Sequence, residues 1–142
     1  IKKLPKIMSK RLNSVNKLNE FFWDSDSLVL PLYDKSNTSS YYKYPMRLSK
    51  SLLERVDRSS IAAYLREKKI PIIQEGYANL MELPIFQRIA KKHNQFAISQ
   101  LTNVRKLHSY EYLGLAIDLI ELDDHATKFI VKAFKELEVE FS

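Results

Sequence analysis

The sequence contains no cysteine. That absence excludes disulfides and thiolate metal sites, and it suits a reducing compartment. Glycine is almost missing as well. Only Gly76 and Gly114 occur, far apart, so no phosphate-cradling glycine loop can be built from them. No apolar run reaches the ~18 residues that a membrane-spanning helix needs. The opening Ile1-Lys2-Lys3-Leu4-Pro5-Lys6 has no apolar stretch behind its charges, so it does not read as a secretory signal. It also lacks an initiator methionine, and we expect a cut inside or just before a helix. Histidine is scarce too. His93, His108 and His125 form no i, i+4 pair of the kind that holds a metal on a helix. His125 stands beside Asp123 and Asp124, which read as a helix N-cap. No metal site is expected.

What remains suits one globular domain spanning residues 1–142. The apolar content is 45%, and a chain of this length can bury about 68–70% of its unfolded surface. The net charge of +6 is uneven: residues 1–50 carry +6, residues 51–100 carry +3 and residues 101–142 carry −3. Lys2, Lys3, Lys6, Lys10, Arg11 and Lys17 all precede the first acid, Glu20. Such a stripe can engage nucleic acid or acidic lipid. No aromatic residue interleaves it, however, and no RNA- or DNA-binding signature accompanies it. It therefore reads as a solvated helix face or one that meets an acidic neighbour.

Apolar residues at three- and four-residue steps, from Leu4 through Ile7, Met8, Leu12, Val15 and Leu18 to Phe22, predict a helix over 4–22. Asp24 to Ser27 ends it. Leu28 to Leu32 contains Pro31 and is at best an edge strand. Tyr41 to Leu48 alternates as a strand does, with Pro45 demanding an edge or a bulge. A helix follows, capped by Ser59 or Ser60 and running to about Lys69, with Ile61, Tyr64 and Leu65 inward. Ile70 to Ile73 is a short strand, and Gly76 marks a turn. Pro84 opens a helix with Ile85, Phe86 and Ile89 on its core side. Residues 93–112 show no clear period. Leu113 to Leu119 reads as a strand, and a last helix covers about Asp123 to Glu140, with Ala126, Phe129, Ile130, Ala133, Phe134 and Leu137 as its stripe. The fold class is α+β: a small antiparallel or mixed sheet of three or four strands, covered by helices, with a long N-terminal and a C-terminal helix.

Residues 41–86 carry a resemblance. Tyr41-Tyr42-Lys43-Tyr44-Pro45-Met46-Arg47-Leu48 is followed by Asp57-Arg58, then Tyr64-Leu65-Arg66-Glu67-Lys68-Lys69-Ile70, then Gly76-Tyr77, and then Leu83-Pro84-Ile85-Phe86. This succession resembles the C-terminal small domain of the DegT/StrS sugar aminotransferases, fold-type-I enzymes that use pyridoxal phosphate (PLP). Leu4, Arg11 and Leu18 sit like the helix that joins that domain to the large one, and His125 to Phe134 is similar to the closing helix. Where Lys69 stands, the family usually has glycine. The tyrosine loop, Gln74 to Asn79, lacks the histidines often found there.

The resemblance implies a cytoplasmic homodimeric parent that transfers an amino group, usually from glutamate, to a keto-sugar nucleotide. PLP, its Schiff-base lysine and the acid that pairs with the pyridinium belong to a large domain outside this sequence. This segment would then carry no catalytic and no cofactor-binding residue. Its lysines sit in no apolar stretch that would lower their pKa from ~10.4. Tyr77 is the candidate substrate-binding residue, set against an ordinary loop aromatic. Arg47 and Tyr44 could face substrate or a neighbouring domain, but strand residues are more often structural. With the large domain missing, Ile1, Met8 and Val15 should be partly uncovered. Two other readings stay open: a free-standing basic α/β binding module, and a degenerate paralogue without chemistry.

Overall fold

The computed structural model describes residues 2–32, 39–73, 79–93, 101–116, 119 and 122–141. In chain order these form α1 (Leu4–Phe22), β1 (Leu28–Val29), β2 (Tyr44–Leu48), α2 (Lys50–Leu53), α3 (Arg58–Glu67), β3 (Ile72–Ile73), a 3-10 turn (Leu80–Glu82), α4 (Pro84–His93), α5 (Thr102–Lys106), a π-turn (Leu107–Glu111), β4 (Tyr112–Leu115) and α6 (Asp124–Glu140). The strands make one sheet in the order β1-β2-β4-β3. Every pairing is antiparallel. The α+β class, the sheet size and the two long helices agree with the sequence reading.

Strand alternation decides which way the sheet faces. Tyr44, Met46 and Leu48 of β2 and Leu113 and Leu115 of β4 are buried, and they share a core with Val15, Leu18 and Phe22 of α1, Ile61 and Leu65 of α3, and Ile130, Phe134 and Leu137 of α6. The intervening Pro45 and Tyr112 are half-buried and Arg47 is exposed, so among the described residues no helix seals the other face at these positions. Inside the core the Tyr44 hydroxyl donates to Asn19 Oδ1 at 2.8 Å. That bond satisfies a group whose titration is pushed up by burial and, secondarily, by the nearby Tyr41.

Pro45 is tolerated because β1 pairs only with Arg47 and Leu48. At the level of Pro45, one side of β2 has no strand beside it among the described residues, which is the edge position the sequence demands. Gly114 has a steric reason. A Cβ there would stand 2.7 Å from the Tyr112 hydroxyl, so its absence lets the Tyr112 side chain lie back across the strand.

Four readings need correction. Val15 is buried rather than uncovered, because it faces the core shared with α6; Met8 is half-buried, and Ile1 lies outside the described residues. The cap of α3 is Asp57, which accepts from the N–H groups of Ser59 at 2.8 Å and Ser60 at 3.0 Å, so the helix starts one residue before the serines. Phe129 is 45% exposed, and Thr127 and Val131 take inward places on α6 instead. On α4, Ile85 and Ile89 are 53% and 47% exposed. That helix has a strong apolar stripe, but among the described residues its main neighbour is the 3-10 turn at Leu80–Glu82 rather than the core.

The end of α3 explains a departure noted in the sequence. Lys69 adopts a left-handed backbone, with φ of 63°. Ile70 N–H donates to Leu65 C=O at 2.9 Å, and Lys69 N–H donates to Arg66 C=O at 2.9 Å. This is a Schellman cap closed by the buried pair Leu65 and Ile70. Glycine reaches that φ without steric cost, whereas lysine does not.

Candidate functional site

The exposed face of the sheet carries the polar chemistry. Arg47 points out of β2. Glu111 ends the π-turn, with its side chain only 7% exposed. A buried carboxylate needs partners, and it has two cations. Arg47 donates through Nε at 3.0 Å and Nη2 at 2.8 Å to Oε2, and Lys106 Nζ lies 2.9 Å from Oε1. Burial alone would raise the Glu111 pKa, but the hydrogen bond from Lys106 and the charge of Arg47 outweigh it and hold the carboxyl below its ordinary range.

The neighbouring carbonyls are capped from α3. Arg58 Nη1 donates to the His108 carbonyl at 2.7 Å and the Tyr112 carbonyl at 3.5 Å, so the helix-opening arginine ties the π-turn to α3. A π-turn leaves carbonyls without their usual helical donors, which is why a guanidinium is useful here.

Two clefts meet at Arg47 and Leu107. The polar one, of about 340 Å³, is lined by Arg47, Asn103, Lys106, Leu107 and Glu111. The apolar one, of about 450 Å³, runs along Val29 to Leu32, Pro45, Leu107 and Tyr112. Leu32 is 84% exposed at its rim. The pairings Arg47 with Tyr112 and Ile73 with Gly114 make β3 run toward the sheet end that holds this cluster. Tyr77 itself lies outside the described residues.

Of the strand residues flagged in the sequence, Tyr44 is a core residue and Arg47 belongs to the open face. His125 is exposed at the start of α6, where Asp123 is the cap and accepts from Ala126 N–H at 2.7 Å. Among the described residues no three histidines or carboxylates gather as a metal site, and no helix is long and apolar enough to cross a membrane. The Arg47–Glu111–Lys106 cluster was missed in the sequence. Its one visible signal was an arginine at an outward strand position.

The described residues do not fit a PLP site. A Schiff-base lysine works as a free amine in a shielded pocket, yet no described lysine is buried. Lys68, whose titration does move, moves upward, through its hydrogen bond and ion pair with Glu136.

No protein-family profile and no curated protein matches the chain. Solved structures do match it. A protein of Streptococcus pneumoniae described as a sugar aminotransferase, in its PMP form, superposes with a TM-score of 0.73 at 21% identity, over 99% of this chain and 33% of its own. PseC of Helicobacter pylori, an aminotransferase involved in the biosynthesis of pseudoaminic acid, gives 0.71 at 18%, over 99% and 35%. A DegT/DnrJ/EryC1/StrS aminotransferase from Brucella abortus gives 0.68 at 19%, over 92% and 31%. The chain spans about a third of the length of these neighbours, and it has the fold of that third of a DegT/StrS-type sugar aminotransferase.

Proposed function

We propose that residues 1–142 form the C-terminal small domain of a PLP-dependent aminotransferase that moves an amino group, from glutamate, onto a keto-sugar nucleotide. The observation that carries this reading is the superposition of nearly the whole chain on a third of each sugar-aminotransferase neighbour. In this reading α1 links the domain to a large PLP-binding domain of the same polypeptide, and the parent is a homodimer working in the cytoplasm. The exposed apolar stripe of α4 (Ile85 and Ile89), with Leu83 just before it, and the open sheet face are then surfaces that the large domain covers, since exposed apolar patches on one domain mark a partner. Their exposure supports this reading over that of a free-standing basic module.

PLP, held by the large domain, supplies an electron sink for the transamination. This chain's own residues bind and orient. Tyr77, on the segment that leaves β3, offers a ring for stacking and a hydroxyl for a hydrogen bond to the sugar nucleotide. Glu111 holds Arg47 and Lys106 on the open face of the sheet. The test is to add PLP to the 142-residue chain and to the longer polypeptide. The reading expects the visible Schiff-base absorbance from the longer polypeptide only. A band from the short chain, lost on changing one of its lysines, would place the chemistry here and refute it.

A further inference from the structure

Helix α6 turns a row of lysines outward. Lys128, Lys132 and Lys135 are all exposed, and their four- and three-residue steps put them on one face. With Lys68 of α3 and the acids Glu136 and Glu140 they line a groove of about 720 Å³, so four lysines stand against two glutamates and the lining is net positive. Glu136 is already shared, since it bonds Lys68 at 3.0 Å and lies 3.7 Å from Lys132. Among the described residues Lys128 and Lys135 enter no ion pair. Like charges at such steps disfavour a helix, so the row costs α6 stability that an anionic neighbour would offset. Apolar surface opens at both ends of the row. Val139, one turn beyond Lys135, is 77% exposed. Phe21 of α1 is 45% exposed and sits at the Lys128 end, where those two residues and Lys17 also line an adjoining cleft of about 230 Å³. From the level of Lys128 to Val139 is about 16 Å at 1.5 Å per residue, or three turns of helix. Lys6 and Lys10 precede Lys17 on the same face of α1 and are exposed, so the positive surface continues past the groove.

We infer that this surface docks an acidic amphipathic helix of another protein. The helix lies along α6, with carboxylates over Lys128, Lys132 and Lys135 and with apolar side chains about three turns apart over Phe21 and Val139. Charge complementarity selects that occupant. A second copy of the chain would bring the same net positive lining and be repelled. A nucleic-acid strand would set phosphates against Glu136 and Glu140, and it would find few rings to stack on. Tyr64 is the other aromatic wall, and its ring is already engaged: Phe141 packs edge-on at 5.7 Å, and the Lys68 ammonium lies over it at 5.3 Å. The groove is on the outer side of the helices that seal the core, with the sheet between it and the open face. The inference therefore needs nothing from the aminotransferase reading, and its failure would leave the PLP test as it stands.

The probe is a fluorescently labelled synthetic helix with two leucines about three turns apart and glutamates between them, titrated with the 142-residue chain and followed by anisotropy. We expect saturable binding that weakens with added salt. Lys128→Glu and Lys135→Glu should each weaken it about three- to tenfold, and Val139→Asp about tenfold. Lys50→Glu makes an equal change of net charge at an exposed site on α2 and should shift binding by less than about twofold. The double variant Lys128→Glu with Lys135→Glu leaves two lysines against four glutamates in the groove, so it should prefer a peptide with lysine in place of glutamate. Circular dichroism checks that each variant stays folded. No binding, equal binding of a peptide with glutamine in place of glutamate, or a loss from Lys50→Glu as large as that from Lys128→Glu would each overturn the proposal. So would tighter binding of oligothymidylate or of phosphatidylglycerol vesicles that the same groove reversals abolish, since the occupant would then be a nucleic acid or a membrane.

Discussion

The two faces of the sheet are built by opposite rules. On one, Tyr44, Met46, Leu48, Leu113 and Leu115 are sealed under α1, α3 and α6, and the Tyr44 hydroxyl is matched to the Asn19 amide. On the other, a carboxylate is buried between two cations that still reach water, beside an apolar cleft that no described helix covers. The first face is what holds a fold together. The second holds polar groups in place at some cost in desolvation, as sites and domain interfaces do. Stability should therefore depend on the sealed face, while the open face is the one built as sites and interfaces are.

The largest effect should come from the sealed face. Leu113→Ala leaves a cavity between β4 and the helices and should cost about 2–5 kcal/mol in urea unfolding. A cost below about 1 kcal/mol would mean that the two faces do not differ as described. Glu111→Gln on the open face should cost less, about 1–2 kcal/mol at neutral pH, because Arg47 and Lys106 are half-exposed and screened. Its pH dependence sharpens the contrast. A depressed carboxyl pKa adds stability above the unfolded value of ~4.3, and that stability is lost as pH falls through the folded value. The difference between wild type and Glu111→Gln should therefore vanish in acid, while that for Leu113→Ala should persist. Tyr44→Phe should cost about 1 kcal/mol by leaving Asn19 without its donor. The smallest change should be a gain: Lys69→Gly relieves a left-handed lysine and should stabilise by about 0.5–1 kcal/mol, read as a raised thermal midpoint.

Much of the sealed face was legible in the sequence. The period of α1 gave its limits, Leu4 to Phe22, and the alternation in Tyr41 to Leu48 marked a strand, which β2 occupies from Tyr44 onward. What periodicity cannot say is which molecule covers an apolar stripe. Ile85 and Ile89 have the spacing of core residues, yet they are exposed here, while Val15 was assigned to a missing partner and is packed within. Caps were legible only to within a residue or two, as Asp57 in place of Ser59 shows. The open-face cluster was illegible for a different reason. Arg47 and Glu111 lie 64 positions apart, and a π-turn, which no simple period announces, sets where the Glu111 side chain emerges. The glycine that relatives favour at Lys69 was visible as a departure, but its meaning needed the φ angle.

The measurement that bears most directly on the proposed role of Tyr77 as a sugar-nucleotide contact is steady-state transamination by the longer polypeptide carrying Tyr77→Ala. The account predicts a Michaelis constant for the sugar nucleotide raised by about tenfold, roughly 1.4 kcal/mol, with that for glutamate unchanged. Equal losses for both substrates, or no loss for either, would contradict it.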